Sequence, residues 1–386
     1  MKAGSLKLIT FTFVLSMIIS CSDDPTDLGI GLIPQQDKLR SYSLTIQATS
    51  DTTFLYRIKG ISSSLTGFYR DNYSDSTLES RALIQFSGFT AIPKTANIDY
   101  AVIKIPINYM FSNSRGKLKL NVHEILQSWD EKTFTWDNST INGFYNTNIE
   151  TTFVKNNIDS AELVLAIDIL PIVRRWIIAG TDVPNGIILI PVTDTLYSNI
   201  IVGTRNSIDT MVVTYRDTGT TLKTLSVIAT QQTFVANGSI PQIDTVSFIQ
   251  AGVGYRNLMR FDISSIPRRA SITQAIFEVT SDEISSLRNS YSHDSLIVYL
   301  ARNDTFPYTS ITLGTICSKS SDASHLFYSA DIKTIVQQWV VHEPNYGLIL
   351  SSYGELISFD RFAIFSASSQ DLSRRPKLKI KYTVLP

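Results

Sequence analysis

Among 386 residues only two are cysteine and four are histidine. Two cysteines exclude a disulfide-rich scaffold. His123, His293, His325 and His342 are scattered, with no pair at metal-ligand spacing, and read as ordinary surface or loop residues. Neither sign of charge is in excess, since 34 Lys and Arg balance 34 Asp and Glu, which argues against an electrostatic nucleic-acid binder. Nucleophile elbow, phosphate loop and dinucleotide fingerprint are all missing, so no reaction and no cofactor are indicated. At 43% hydrophobic and 18% charged the chain has the composition of a folded protein, and its length predicts two units.

The longest apolar stretch near the start, Leu8 to Ile19, follows Lys2 and Lys7 and is too short to span a bilayer comfortably. It reads as a signal-peptide core over residues 1–20, ending in Ile18, Ile19, Ser20 and Cys21. That ending resembles the lipobox of bacterial lipoproteins, which implies a mature chain lipidated at Cys21. Residues 21–40 are polar and turn-prone and read as a tether. Ser22, Asp23 and Asp24 resemble the export signal of Bacteroidetes surface lipoproteins, which implies anchoring in the outer membrane with the chain exposed outside.

Two stretches of the chain repeat each other. Pro93, Ala96, Ile98 and Ala101 recur at identical spacing as Pro267, Ala270, Ile272 and Ala275. Asp168, Ile169, Ile172, Val173 and Trp176 recur as Asp331, Ile332, Ile335, Val336 and Trp339, with the spacing of a short helix and an Asp placed to cap it. Pro171 falls in that helix's first turn, where proline is tolerated. Gly186 and Gly347 each precede an aliphatic strand, and Tyr215 and Tyr382 each close one. The copies also open alike, Leu44 to Thr49 matching Leu225 to Thr230.

Between these landmarks lie short alternating segments separated by Ser, Asn, Asp and Gly clusters. The pattern predicts an all-β protein of two tandem antiparallel, jelly-roll-like β-sandwiches, residues 41–217 and 218–386, each with one short helix. The junction is expected between Arg216 and Thr221.

The order of these features, with Trp129, Asp130, Glu131, Thr135 and Trp136 in the first copy, resembles DNRLRE-type domains, some of whose relatives are carbohydrate-binding modules. The second copy has Asn303, Phe306, Pro307 and Tyr308 in the comparable region and lacks the segment. Asp27 to Pro34 and Ser64 to Asp71 are also similar to an uncharacterised family of Bacteroidetes lipoproteins. The resemblance implies a non-enzymatic surface protein that binds extracellular polysaccharide or acts as an adhesin. The alternative is a scaffolding lipoprotein that contacts another envelope protein.

Trp129 and Trp136 with Asp130 and Glu131 form the candidate ligand site, because an aromatic face stacks on a pyranose while carboxylates accept its hydroxyls. The competing reading packs both tryptophans into the protein. Asp130 and Glu131 are adjacent and would point to opposite faces of a strand, which disfavours a glycosidase pair. Asp71 to Asp75 has a carboxylate at each end but lacks the rest of a calcium loop and reads as a solvated turn. Cys317 reads as a small buried apolar group. Asp followed by Ser or Thr and then Ala, Leu, Val, Ile, Met or Thr recurs at Asp51, Asp75, Asp159, Asp194, Asp209, Asp244 and Asp294, which resembles the O-glycosylation motif of exported Bacteroidetes proteins.

Overall fold

The computed structural model describes residues 40–384, apart from 60–61, 72–73, 112–115, 159–162, 195, 197–198, 218, 290–292, 311–313 and 342–343. The signal segment, Cys21, the tether up to residue 39 and His342 lie outside the described residues. No described helix is long and apolar enough to cross a membrane.

The chain is all-β and antiparallel, with three α-helices among the described residues. It begins with β1 (Arg40–Leu55), β2 (Ser63–Arg70), β3 (Thr77–Phe86), β4 (Asn97–Pro106), β5 (Tyr109–Phe111) and β6 (Gly116–Glu124). Helix α1 (Trp136–Ser139) is followed by β7 (Thr151–Ile158), β8 (Val164–Asp168), helix α2 (Leu170–Ala179), β9 (Ile187–Pro191), β10 (Ile200–Arg205) and β11 (Thr210–Arg216). Then come β12 (Leu222–Gly238), β13 (Val246–Gln250), β14 (Tyr255–Phe261), β15 (Ser271–Thr280), β16 (Ser295–Leu300) and β17 (Thr315–Ser321). The chain closes with β18 (Leu326–Asp331), helix α3 (Lys333–Val341), β19 (Leu348–Ser352), β20 (Arg361–Phe365) and β21 (Lys377–Val384).

One sheet runs β1-β21-β15-β18-β17-β16-β19-β14 and returns to β1 through a β1–β14 ladder, which closes it into a barrel. The other runs β8-β4-β11-β12-β3 and continues through β9 and β6 to β7. It follows the same order, but no β7–β8 ladder occurs among the described residues. Both sheets owe their form to alternation: Met211, Val213 and Tyr215 of β11, like Leu378, Ile380 and Tyr382 of β21, point inward, and the residues between them do not.

The strands that open the two copies are exchanged. β1 pairs with β21 and β14 of the second copy, Leu44 facing Ile380 and Ala48 facing Phe261. β12 pairs with β11 and β3 of the first copy, Leu225 facing Val213 and Ala229 facing Phe86. Even the bulges coincide, between Ala48 and Ser50 in one and Ala229 and Gln231 in the other. Arg216 to Thr221, expected to separate two units, instead joins two hydrogen-bonded strands of one sheet, Arg216 facing Leu222.

The other repeated residues occupy equivalent places. Ala96 donates its backbone N–H to Pro93 O at 2.9 Å and Ala270 to Pro267 O at 2.8 Å, the same tight turn twice. In α2, Ile172, Val173, Trp176 and Ile177 face the core, as do Ile335, Val336, Trp339 and Val340 in α3. The helix begins later than its Asp: Asp168 ends β8 and the N-cap is Ile169. The Asp168 carboxylate still accepts the Leu170 N–H at 2.9 Å, and Asp331 that of Lys333 at 2.9 Å. Gly186 and Gly347 have φ of 94° and 102°, and a Cβ there would stand 2.2 Å from Ile84 O and 2.3 Å from Met259 O. Each glycine thus lets its strand close on a neighbouring backbone.

A large core fills each sheet. A smaller one joins the halves, bringing Tyr109, Phe111 and Phe234 against Phe359. The Tyr109 hydroxyl accepts the Phe359 N–H at 2.8 Å, and Asn289 Nδ2 donates to Met110 O at 2.7 Å. Cys317 is fully buried in the second core, and burial pushes its thiol up to about 12, so it is a packing residue.

Candidate functional site

The segment from Trp129 to Thr135 lies between β6 and α1 as a turn and not as a strand, and Trp136 opens α1. Trp129 is only 9% exposed and packs with Leu83, Ile125, Phe134, Phe144 and Ile188. Its ring meets Phe134 edge-on at 5.8 Å, and its Nε1 donates to Asn185 O at 2.8 Å. Both the apolar body and the polar tip are therefore satisfied inside the protein. Trp136 is half-buried at the start of α1, and the Arg81 guanidinium stands 4.3 Å from its ring centroid.

The two carboxylates are likewise engaged. Asp130 is exposed, and its Oδ1 accepts the Lys132 N–H at 3.1 Å, which holds the turn. Glu131 reaches the β12 bulge, where its Oε2 accepts the Gln232 N–H at 3.2 Å and its own N–H donates to Gln231 Oε1 at 3.2 Å. The bulge interrupts the ladder, and Glu131 satisfies a donor that the ladder leaves open. The structure thus brings Trp129, Asp130, Glu131 and Trp136 into one segment but gives Trp129 no open ring face.

Asparagine replaces a glutamate in the cap of α1: Asn138 Oδ1 accepts the Thr135 N–H at 2.9 Å and its hydroxyl at 2.8 Å. Arg57 Nη2 lies 3.0 Å from Asp137, so the residues just after the exchanged strand β1 also touch this segment.

Three expectations need correction. His123 is a buried strand residue and not a surface one, with Nδ1 2.8 Å from Asn146 O and its ring 5.2 Å from Tyr145. Asp71 is not solvated, because it is 6% exposed and binds the Arg361 guanidinium, while Asp75 is exposed as read and pairs loosely with Arg70 at 3.6 Å. Ser76, the hydroxyl of one glycosylation-like triplet, is buried and accepts from Arg361 Nη1 at 2.6 Å. His293 and His325 lie in loops as read, beside Tyr353 and Asp322. No group of three or more His, Cys, Asp or Glu side chains that could hold a metal occurs among the described residues.

The Asp71–Arg361 pair is the site residue set that sequence reasoning missed, and no sequence signal joins two residues 290 positions apart. Within the first copy a second buried carboxylate, Asp209, accepts from Thr204 Oγ1 at 2.7 Å. Burial pushes its carboxyl up to about 6.

Neither a known protein family nor a curated protein matches the chain. Solved structures that align with it include the Macrobrachium rosenbergii nodavirus, 9% identical with a TM-score of 0.11 over 91% of this chain and 90% of that one. The infectious bursal disease virus VP2 subviral particle gives 9% and 0.11 over 91% and 78%, and the Sputnik virophage 7% and 0.09 over 91% and 86%. Similarity at this level assigns neither fold nor role.

Proposed function

We propose that this chain is a non-enzymatic protein, lipid-anchored at Cys21 on the outer-membrane surface, that contacts another protein of the envelope. Each copy, completed by the strand lent from the other, is taken as one jelly-roll-like sandwich. The observation that carries the choice of partner is the Trp129 ring, which is spent on packing and offers no open face to a sugar.

Binding of extracellular polysaccharide, or adhesion through it, is the second reading. It is favoured by Trp136, whose half-exposed ring sits beside Arg81 and within reach of solvent.

The test is affinity electrophoresis of the soluble chain beginning after Cys21 against a panel of polysaccharides, alongside cross-linking in intact cells. Cross-linked protein adducts without retardation support the scaffolding role. Retardation that disappears in a folded Trp136→Ala variant reverses the order of the two readings. Incorporation of labelled fatty acid that is lost in Cys21→Ala tests the anchor.

A further inference from the structure

The two copies carry different charge at equivalent ends. β21 turns Lys377, Lys379 and Lys381 outward between its buried Leu378, Ile380 and Tyr382. β11, its counterpart, has Thr210, Val212 and Thr214 at the same positions. The turn into β15 holds Arg268 and Arg269, both exposed, where the turn into β4 holds Lys94 and Thr95.

Strand pairing brings the basic residues of the second copy together. Arg40 faces Val384, Ser41 faces Thr383, and Thr383 faces Ser271, which directly follows the turn of Arg268 and Arg269. Adjacent strands lie about 4.8 Å apart, so Arg40 and the two arginines, two strands away, are separated by roughly 10 Å at the backbone. That is about one screening length in physiological salt, and their fields add.

In the first copy the cations of this end have partners. Arg216 Nε lies 3.5 Å from Asp99, Lys223 Nζ lies 3.4 Å from Asp217, and Lys94 Nζ donates to Ala179 O at 3.5 Å. In the second copy Glu278 takes Lys377 at 2.8 Å and Lys379 at 2.6 Å, whereas Arg40, Arg268, Arg269 and Lys381 have no carboxylate partner among the described residues. Asp262 and Asp331, on neighbouring segments, accept the backbone N–H groups of Ser264 and Lys333 at 2.9 Å each. Four unpaired cations against these two carboxylates leave the end net positive.

The place of this end in the chain selects its partner. Arg40 directly follows the tether, and the chain from Cys21 to Arg40 can span at most about 65 Å. A lipid at Cys21 therefore holds this end toward the membrane, whose headgroup phosphates attract basic residues within a screening length. β1 runs from here to Leu55, which packs in the small core that joins the halves, so the first copy is attached at the far end of the strand.

We propose that the end formed by Arg40, Lys381, Arg268 and Arg269 lies on the anionic phosphate headgroups of the membrane and directs the first copy away from it. The proposal rests on the lipid anchor at Cys21 proposed above and gives the anchored protein its orientation.

The test is sedimentation of the chain from residue 22 onward, which keeps every described strand and helix, with vesicles of phosphatidylcholine alone or mixed equally with phosphatidylglycerol. Binding is expected to the mixed vesicles at low salt, with loss at high salt and none to phosphatidylcholine. Arg268→Gln, Arg269→Gln and Lys381→Gln together should weaken it about a hundredfold, at about fivefold per charge. These side chains are exposed and unpaired, so the triple variant should melt as wild type does. Lys94→Gln with Lys223→Gln, in the first copy, should leave binding unchanged, which separates this end from net charge. Equal binding to both vesicles, no binding to the mixed ones, or a folded triple variant that binds as wild type overturns the proposal. Binding to a soluble acidic polysaccharide in place of the vesicles overturns it in favour of a glycan partner. Because this chain carries no lipid, failed vesicle binding with the fatty-acid label incorporated removes only the orientation, whereas a label that does not incorporate removes the anchor itself.

Discussion

Arg361 of β20 binds the carboxylate of Asp71, which follows β2, so the two halves share one buried ion pair. Both side chains are almost fully enclosed, at 5% and 8% exposure. Arg361→Met leaves a buried carboxylate without this guanidinium and should cost roughly 3–5 kcal/mol. Arg361→Met combined with Asp71→Leu should cost less than the single change, because no uncompensated charge remains. Urea unfolding of the three proteins checks this, and a double variant no more stable than Arg361→Met would reject it.

Trp129→Ala should destabilise by roughly 3–5 kcal/mol, as for a large aromatic removed from a core. Trp136→Ala should cost far less, since the ring is half-buried and its contact with Arg81 contributes about 0.5–1 kcal/mol. Equal losses in chemical denaturation would show that Trp129 is not the packing residue described.

Gly186→Ala and Gly347→Ala should each cost at least about 2 kcal/mol, because a side chain there both meets a carbonyl oxygen and requires positive φ. Thermal melting reads the loss. A neutral result at either position would mean that the strand shifts to make room.

Asp209 gives the stability a pH dependence of definite sign. Its folded pKa, about 6, lies above the ordinary carboxylate value of 3.8, so the folded state holds the proton longer than the unfolded state. Stability contributed by this group is therefore full below about pH 4 and is lost as pH rises through 6, by roughly 2–3 kcal/mol. Asp209→Asn should flatten that part of the profile and be more stable than wild type at pH 8. Denaturation midpoints at pH 4, 6 and 8, roughly spanning the window, decide the matter.

Much of the fold was legible in the sequence because alternation, turns and helix period are local. Pro93 and Ala96, repeated as Pro267 and Ala270, marked a turn that the structure forms twice. The exchange of β1 and β12 was not legible. Leu44 and Ala48 present the same pattern to a neighbouring strand as Leu225 and Ala229, so either strand matches either copy. Only the connections between strands decide which pairing closes, and these leave no mark in residue pattern. The tryptophan segment stands out in the sequence, but an aromatic-rich stretch reads alike whether its rings face water or a core. The Asp71–Arg361 pair was invisible because its two members come from opposite ends of the chain.

A direct consequence of the exchange is that cutting at the apparent repeat boundary should fail. Residues 41–217 lack β12 and keep β1 without its partners, whereas residues 56–238 contain every strand of the first sheet. The second fragment should show the more cooperative melting and the better dispersed amide spectrum. If residues 41–217 fold as well as residues 56–238, the exchanged pairing is wrong.

The strand order also sets a timetable for biogenesis. Arg40 faces Val384, which is synthesised far later. A chain leaving the ribosome or a translocation pore therefore holds Arg40 to Gln47 of β1 unmatched until β21 has emerged, even though Ala48 to Leu55 can pair with β14 earlier, and the barrel shuts only then. Contacts of such sequence separation fold slowly, and an exposed edge invites pairing with other chains meanwhile. Until β21 is made, keeping that half of β1 from premature partners falls to whatever escorts the nascent protein.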